Sequence, residues 1–95
     1  MTTKKIALVT GANRGIGFET ARQLGKQGIK VLLGARSEDA GKEAESTLKN
    51  EGLDVEYIRL DVDDAKTREA AARFIGATYG RLDILVISGD FNRSE

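Results

Sequence analysis

The 95-residue chain is long enough for one small domain with one core, and its 15 basic and 15 acidic residues cancel and are interspersed. A nucleic-acid footprint needs a basic face, so that class of partner is excluded. The chain has no cysteine and no histidine, which removes disulfides, thiolate chemistry, an imidazole base and any histidine metal site. No apolar run approaches membrane-spanning length, and M-T-T-K-K-I lacks the apolar core of a signal peptide. Together these point to a soluble protein of a reducing compartment, the cytoplasm.

The first element is a four-residue apolar run, Ile6 to Val9, as expected of a strand buried on both faces. Glycines follow at 11, 15 and 17. A helix is predicted from Gly15 to Gln27, with Ile16, Thr20, Ala21 and Leu24 inward, stopped by Gly28. Val31, Leu32 and Leu33 predict a second strand running into Gly34-Ala35-Arg36. Ser37 is a good N-cap for a second helix, with Glu38 and Asp39 where the helix dipole favours acids. Its expected buried positions are Ala40, Ala44 and Leu48, and Gly52 ends it.

Val55 to Leu60 alternates apolar and polar residues, which predicts a strand with one wetter face near a sheet edge. Asp63 or Asp64 caps a third helix, on which Ala71, Phe74, Ile75 and Thr78 share a face before Gly80 ends it. Ile84 to Ile87 is a fourth, uninterrupted apolar strand. The ordered core is expected over about 4–88, and the tail from Ser88 has no period and is expected to be loop or disordered. Strands alternating with helices predict an α/β fold with right-handed crossovers and a parallel sheet. The patterns fit a Rossmann-like half domain, βαβαβαβ in three layers, with four strands in the order 3-2-1-4. The apolar fourth strand suits an interior position, so the chain reads as the first half of a longer domain.

The junction between the first strand and helix carries the chemistry. A strand, a glycine turn and a helix start direct backbone N–H groups and the positive end of a helix at an anion. Gly11 suits the tight turn, Gly15 close approach of a diphosphate, and Gly17 close packing of helix on sheet. The spacing G-x-x-x-G-x-G matches neither the G-x-G-x-x-G fingerprint nor the phosphate loop ending in G-K-[ST]. On spacing alone, an ordinary tight turn explains it equally well.

The octet T-G-A-N-R-G-I-G, residues 10–17, resembles the cofactor loop T-G-x-x-x-G-[IL]-G of the short-chain dehydrogenase/reductase family. The resemblance continues through G-A-R at 34–36, L-D-V at 60–62 and L-D-I-L-V at 82–86, and is closest to the NADPH-dependent carbonyl-reductase-like branch. It implies an NADP(H)-binding portion of an oxidoreductase that moves hydride between the cofactor and a carbonyl or alcohol. Its implied cofactor-binding residues in the loop are Gly11, Asn13, Arg14, Gly15, Ile16 and Gly17, with Asn13 also holding the loop by side-chain-to-backbone bonds.

Arg36 stands about twenty residues past the turn, where an acid would hold the ribose hydroxyl of NAD(H) and an arginine pairs with a 2′-phosphate. Arg14 is a second cation for that phosphate; basic residues at both positions go with NADP(H) in the family. Two solvated surface arginines remain the plain alternative. Ser37 adds a hydroxyl, although its capping role explains it fully. By the same resemblance Asp61 accepts from the adenine amino group and the backbone of Val62 contacts the ring; a capping carboxylate is the equal alternative for Asp61.

Two departures from the family stand out. Ile87-Ser88-Gly89-Asp90 replaces N-N-A-G, which puts an acid close to the cofactor. The proton relay of a serine and Y-x-x-x-K is missing: Tyr57 is followed four residues on by Asp61, and Tyr79 by Asp83. No catalytic residue and no metal ligand is assigned. Two other readings compete with cofactor binding: a fold fragment without useful affinity, and a module that forms a homodimer through the bare edge of the fourth strand.

Overall fold

Apolar β-branched and leucine side chains at consecutive positions build the sheet first. The computed structural model describes residues 4–13 and 15–87, so the expectations for Arg14, for residues 88–90 and for the tail lie outside the described residues. β1 (Ile6–Thr10) is buried at every position, and β2 (Lys30–Ala35) at all but its first. β3 (Val55–Arg59) and β4 (Ile84–Val86) are only partly covered. The strands lie in the order β3-β2-β1-β4, with all three pairings parallel. The order matches the sequence reading, including the half-wet edge strand β3. β2 runs through Gly34 and Ala35 to the foot of Arg36, as expected, while Ile87 falls just outside β4.

Three helices cover the two faces. α1 (Gly15–Lys26) and α2 (Glu38–Asn50) lie on one side, over Ala7, Val9, Val31, Leu33 and Val55; α3 (Ala65–Tyr79) lies on the other, over Ile6, Leu8, Leu32 and Leu60. The alternation of side chains along each strand produces these two cores. Side chains such as Leu33 and Leu48 are fully buried, each stabilising the fold by about 1.5–3 kcal/mol.

The caps follow local chemistry. Ser37 Oγ accepts from Ala40 N at 3.3 Å, and Asp64, not Asp63, caps α3 by accepting from Lys66 N at 2.9 Å. Gly80, with φ of 76°, ends α3 in the left-handed region, and its N–H donates to the carbonyls of Gly76 and Ile75.

Some inward assignments are corrected. On α1 the buried residues are Gly17, Ala21 and Gly25; Ile16 points into solvent at 81 % exposure and Thr20 is half-buried. On α2, Gly41 replaces Ala40 beside Ala44 and Leu48. On α3 only Ala71 and Ile75 are buried, while Phe74 and Thr78 are exposed. On α1 and α2 the reason is close packing: small residues sit where a larger side chain would meet a neighbour, beside larger buried ones such as Leu48. A Cβ on Gly25 would lie 3.2 Å from Leu53, and one on Gly41 2.2 Å from Cε1 of Tyr57. Among the described residues no helix is long and apolar enough to cross a membrane.

Candidate functional site

In a parallel sheet whose order reverses at β1, the loops leaving the C-terminal strand ends open a crevice beside that strand. The segments after β1, β2 and β3, which hold the candidates Gly11–Gly17, Arg36–Ser37 and Asp61–Val62, all leave this one edge of the sheet.

The turn after β1 depends on two glycines. Gly11 and Gly15 have φ of 61° and 64°, in the left-handed region that side chains disfavour. A Cβ on Gly15 would meet nothing within 4 Å, so conformation rather than crowding demands glycine there, and the space over its backbone is open. Gly17 is buried on the inward face of α1, as its packing role requires. The loop is fastened by the backbone, Ala12 N donating to the carbonyl of Gly34 at 3.1 Å. The expected side-chain bonds of Asn13 are not found among the described residues. α1 has no acid in its first turn, whereas α2 has Glu38 and Asp39 there. Ile16, the exposed apolar residue of that turn, lines a groove of about 300 Å³ with Glu19, Thr20, Gln23 and Leu24.

Arg36 leaves the end of β2 exposed to solvent. The carbonyl just before it, that of Ala35, accepts from the Tyr57 hydroxyl at 3.3 Å. Burial pushes the Tyr57 phenol up, Glu38 acts the same way, and Arg59 and Lys42 oppose them. Tyr57 therefore remains a protonated donor that pins this strand end.

After β3 the two readings of Asp61 separate. Asp64 takes the capping position of α3, so Asp61 is not the cap. Instead Asp61 Oδ1 accepts from Asp63 N at 3.0 Å, a turn that fixes the loop. Thr67 and Arg68, which sequence reasoning missed, hold the main chain here. Asp61 N donates to Thr67 Oγ1 at 2.9 Å, that hydroxyl lies 2.9 Å from the Asp61 carbonyl, and the Arg68 guanidinium donates to the carbonyl of Val62. The signal for Thr67 was its place three residues after the Asp64 cap, where a polar side chain reaches back over the helix start.

Tyr79 donates to Glu56 Oε1 at 3.1 Å, and burial is the main cause of its raised phenol pKa. A cavity of about 390 Å³ beside Tyr79 is lined by Lys4, Lys30, Asp54 and Arg81 and lies at the opposite, N-terminal end of the strands. Its charges answer one another, with Lys4–Asp54 at 2.8 Å and Lys30–Asp54 at 3.1 Å. The described candidate residues are all at the other end. Among the described residues no group of acidic side chains is arranged to hold a metal ion.

Comparison with known proteins agrees with this geometry. The model of the short chain dehydrogenase family matches residues 5–92. The chain is 47 % identical over 89 residues to (+)-neomenthol dehydrogenase of Arabidopsis thaliana, covering 88 % of this chain and 30 % of that protein. It is 41 % identical over 86 residues to carbonyl reductase [NADPH] 1 of Mus musculus, covering 90 % and 31 %. Among solved structures, the F189W actinorhodin polyketide ketoreductase with NADPH superposes with a TM-score of 0.85 at 37 % identity, covering 93 % of this chain and 34 % of that one. The chain thus spans about a third of the length of these relatives.

Proposed function

Because the chain belongs to the short-chain dehydrogenase family, we propose that it binds NADP(H) through the adenosine and pyrophosphate half of the cofactor, as part of an oxidoreductase acting on a carbonyl or alcohol. The observation that carries this reading is the pair of left-handed glycines, Gly11 and Gly15, at the open start of α1, with Arg36 at the adjoining strand end. Backbone N–H groups of Gly15, Ile16 and Gly17 hold the pyrophosphate, helped by the positive end of α1. Arg36, with Arg14 and the hydroxyl of Ser37, takes the 2′-phosphate and so selects NADP(H) over NAD(H). Asp61 and the backbone of Val62, held by Thr67 and Arg68, receive the adenine. When bound, the cofactor supplies the hydride; the residues of this chain hold and orient its adenosine end.

The fit rests on features independent of the glycine count. The space above Gly15 is open, and α1 carries no first-turn acid to repel a phosphate. Calorimetric titration tests the proposal. NADPH should bind about tenfold or more tightly than NADH, the difference expected from a charge-assisted phosphate contact of about 1.5–3 kcal/mol. Equal affinities would refute the cofactor preference, and no binding of either would refute the function.

A second reading is favoured by one observation, the bare flank of β4. Leu85 is 54 % and Ile87 59 % exposed, and among the described residues no strand pairs with the outer edge of β4. Two copies pairing their fourth strands about a two-fold axis would form a homodimer with one eight-stranded sheet. Light scattering should then show a dimer that Leu85→Lys disrupts; a stable monomer at high concentration rules it out.

A further inference from the structure

We propose that Arg59 is a further guanidinium for the 2′-phosphate of the cofactor, a specificity-determining residue working beside Arg36; this rests on the NADP(H) reading above. The parallel register places Arg59 directly beside Ala35, the residue before Arg36. Neighbouring strands lie about 4.8 Å apart, so the two arginines leave the sheet from adjoining strand ends. By alternation Arg59 shares the face of Val55 and Tyr57, which is the α2 side of the sheet. An arginine is tolerated on that side because the position stands at the rim of the helix layer. Tyr57 packs against Gly41 of α2. From that contact Arg59 is two strand residues higher, about 6.6 Å, whereas Glu38, the first residue of α2, is three helix residues higher, about 4.5 Å. Arg59 therefore reaches the mouth of the crevice beside Ser37 instead of the covered core.

The charge pattern supplies the ligand chemistry. Both arginines are exposed, and neither takes part in an ion pair among the described residues. The nearby acid Glu38 is occupied by Lys42 at 3.2 Å, and Glu45 by Lys49 at 3.5 Å. The Arg59 charge reaches the Tyr57 phenol, whose hydroxyl is bonded to the Ala35 carbonyl. Two cations at adjoining strand ends repel one another. A phosphate monoester, with about two negative charges and three acceptor oxygens, relieves that repulsion and offers each fork its own pair of acceptors.

The test compares NADPH and NADH binding to the unmodified chain and to Arg59→Gln and Arg59→Lys, by calorimetry, with circular dichroism checking the fold. Arg59→Gln should weaken NADPH about tenfold and leave NADH unchanged, while Arg59→Lys should retain part of the NADPH affinity. Unchanged NADPH affinity in Arg59→Gln, or equal losses for both cofactors, overturns the role of Arg59 and leaves the cofactor reading standing. Failure of the unmodified chain to bind either cofactor overturns both.

Discussion

Asp83 ties the start of β4 to β1 through both its backbone and its side chain. Its N–H donates to the carbonyl of Ile6 at 2.9 Å, and its Oδ2 accepts from Ile6 N at 2.8 Å. The Ile6 amide, and then the Arg81 guanidinium, hold its carboxyl below the usual aspartate range. Asp54 is held down in the same way, chiefly by the hydrogen bond from Lys4, with burial opposing and Lys30 assisting. A carboxyl depressed in the folded state contributes stability above its unfolded pKa, about 3.9, and loses it as pH falls through the folded value. The melting temperature should therefore hold steady above about pH 5 and fall below about pH 4. Asp83→Asn, which keeps the acceptor but not the charge, should melt lower at neutral pH and show a shallower acid fall. Thermal unfolding followed by circular dichroism from acid to neutral pH checks this; an unchanged acid limb in the variant would contradict it. Roles of this kind are only half legible in a sequence. The Ser37 cap depends on its immediate neighbours and was readable, whereas the partner of Asp83 lies 77 residues away.

Helix α2 and strand β3 meet where a glycine and a tyrosine share one space. Two magnitudes compete in Gly41→Ala. Alanine favours a helix interior over glycine by about 1 kcal/mol. Overpacking costs about 1–3 kcal/mol, and here the new Cβ would lie 2.2 Å from a tyrosine ring carbon whose hydroxyl is itself bonded. The overlap should win, and Gly41→Ala should lower stability in urea denaturation. Gly76→Ala in α3, where a Cβ meets nothing within 4 Å, is the control and should stabilise by up to about 1 kcal/mol. A Gly41→Ala chain as stable as the unmodified one would contradict the packing described. Periodicity located each helix, but it weights side chains by apolarity. For that reason it placed Ile16, Ala40 and Phe74 inward and passed over Gly41, although Ala71 and Ile75 were placed correctly. How closely two elements approach is not written in either one alone.

Across the whole molecule, the strand order was legible because strand composition tracks cover: β1 and β2 are apolar throughout, and β3 alternates. β4 is the exception, with an interior composition at an edge position. The candidate site was legible at the glycine turn, where a local motif specified it, and less so at Thr67 and Arg68, which bond six residues back to the main chain of Asp61 and Val62. The proposed cofactor site joins the glycine turn, Arg36–Ser37 and Asp61–Val62 at the C-terminal ends of the strands. Amide chemical-shift mapping during NADPH titration of the isotope-labelled chain tests this most directly. Shifts should concentrate at Gly11–Gly17, Arg36–Ser37 and Asp61–Val62, and leave Lys30, Asp54 and Tyr79, at the far end of the strands, undisturbed. Shifts centred on that far end, or none at saturating NADPH, would contradict it.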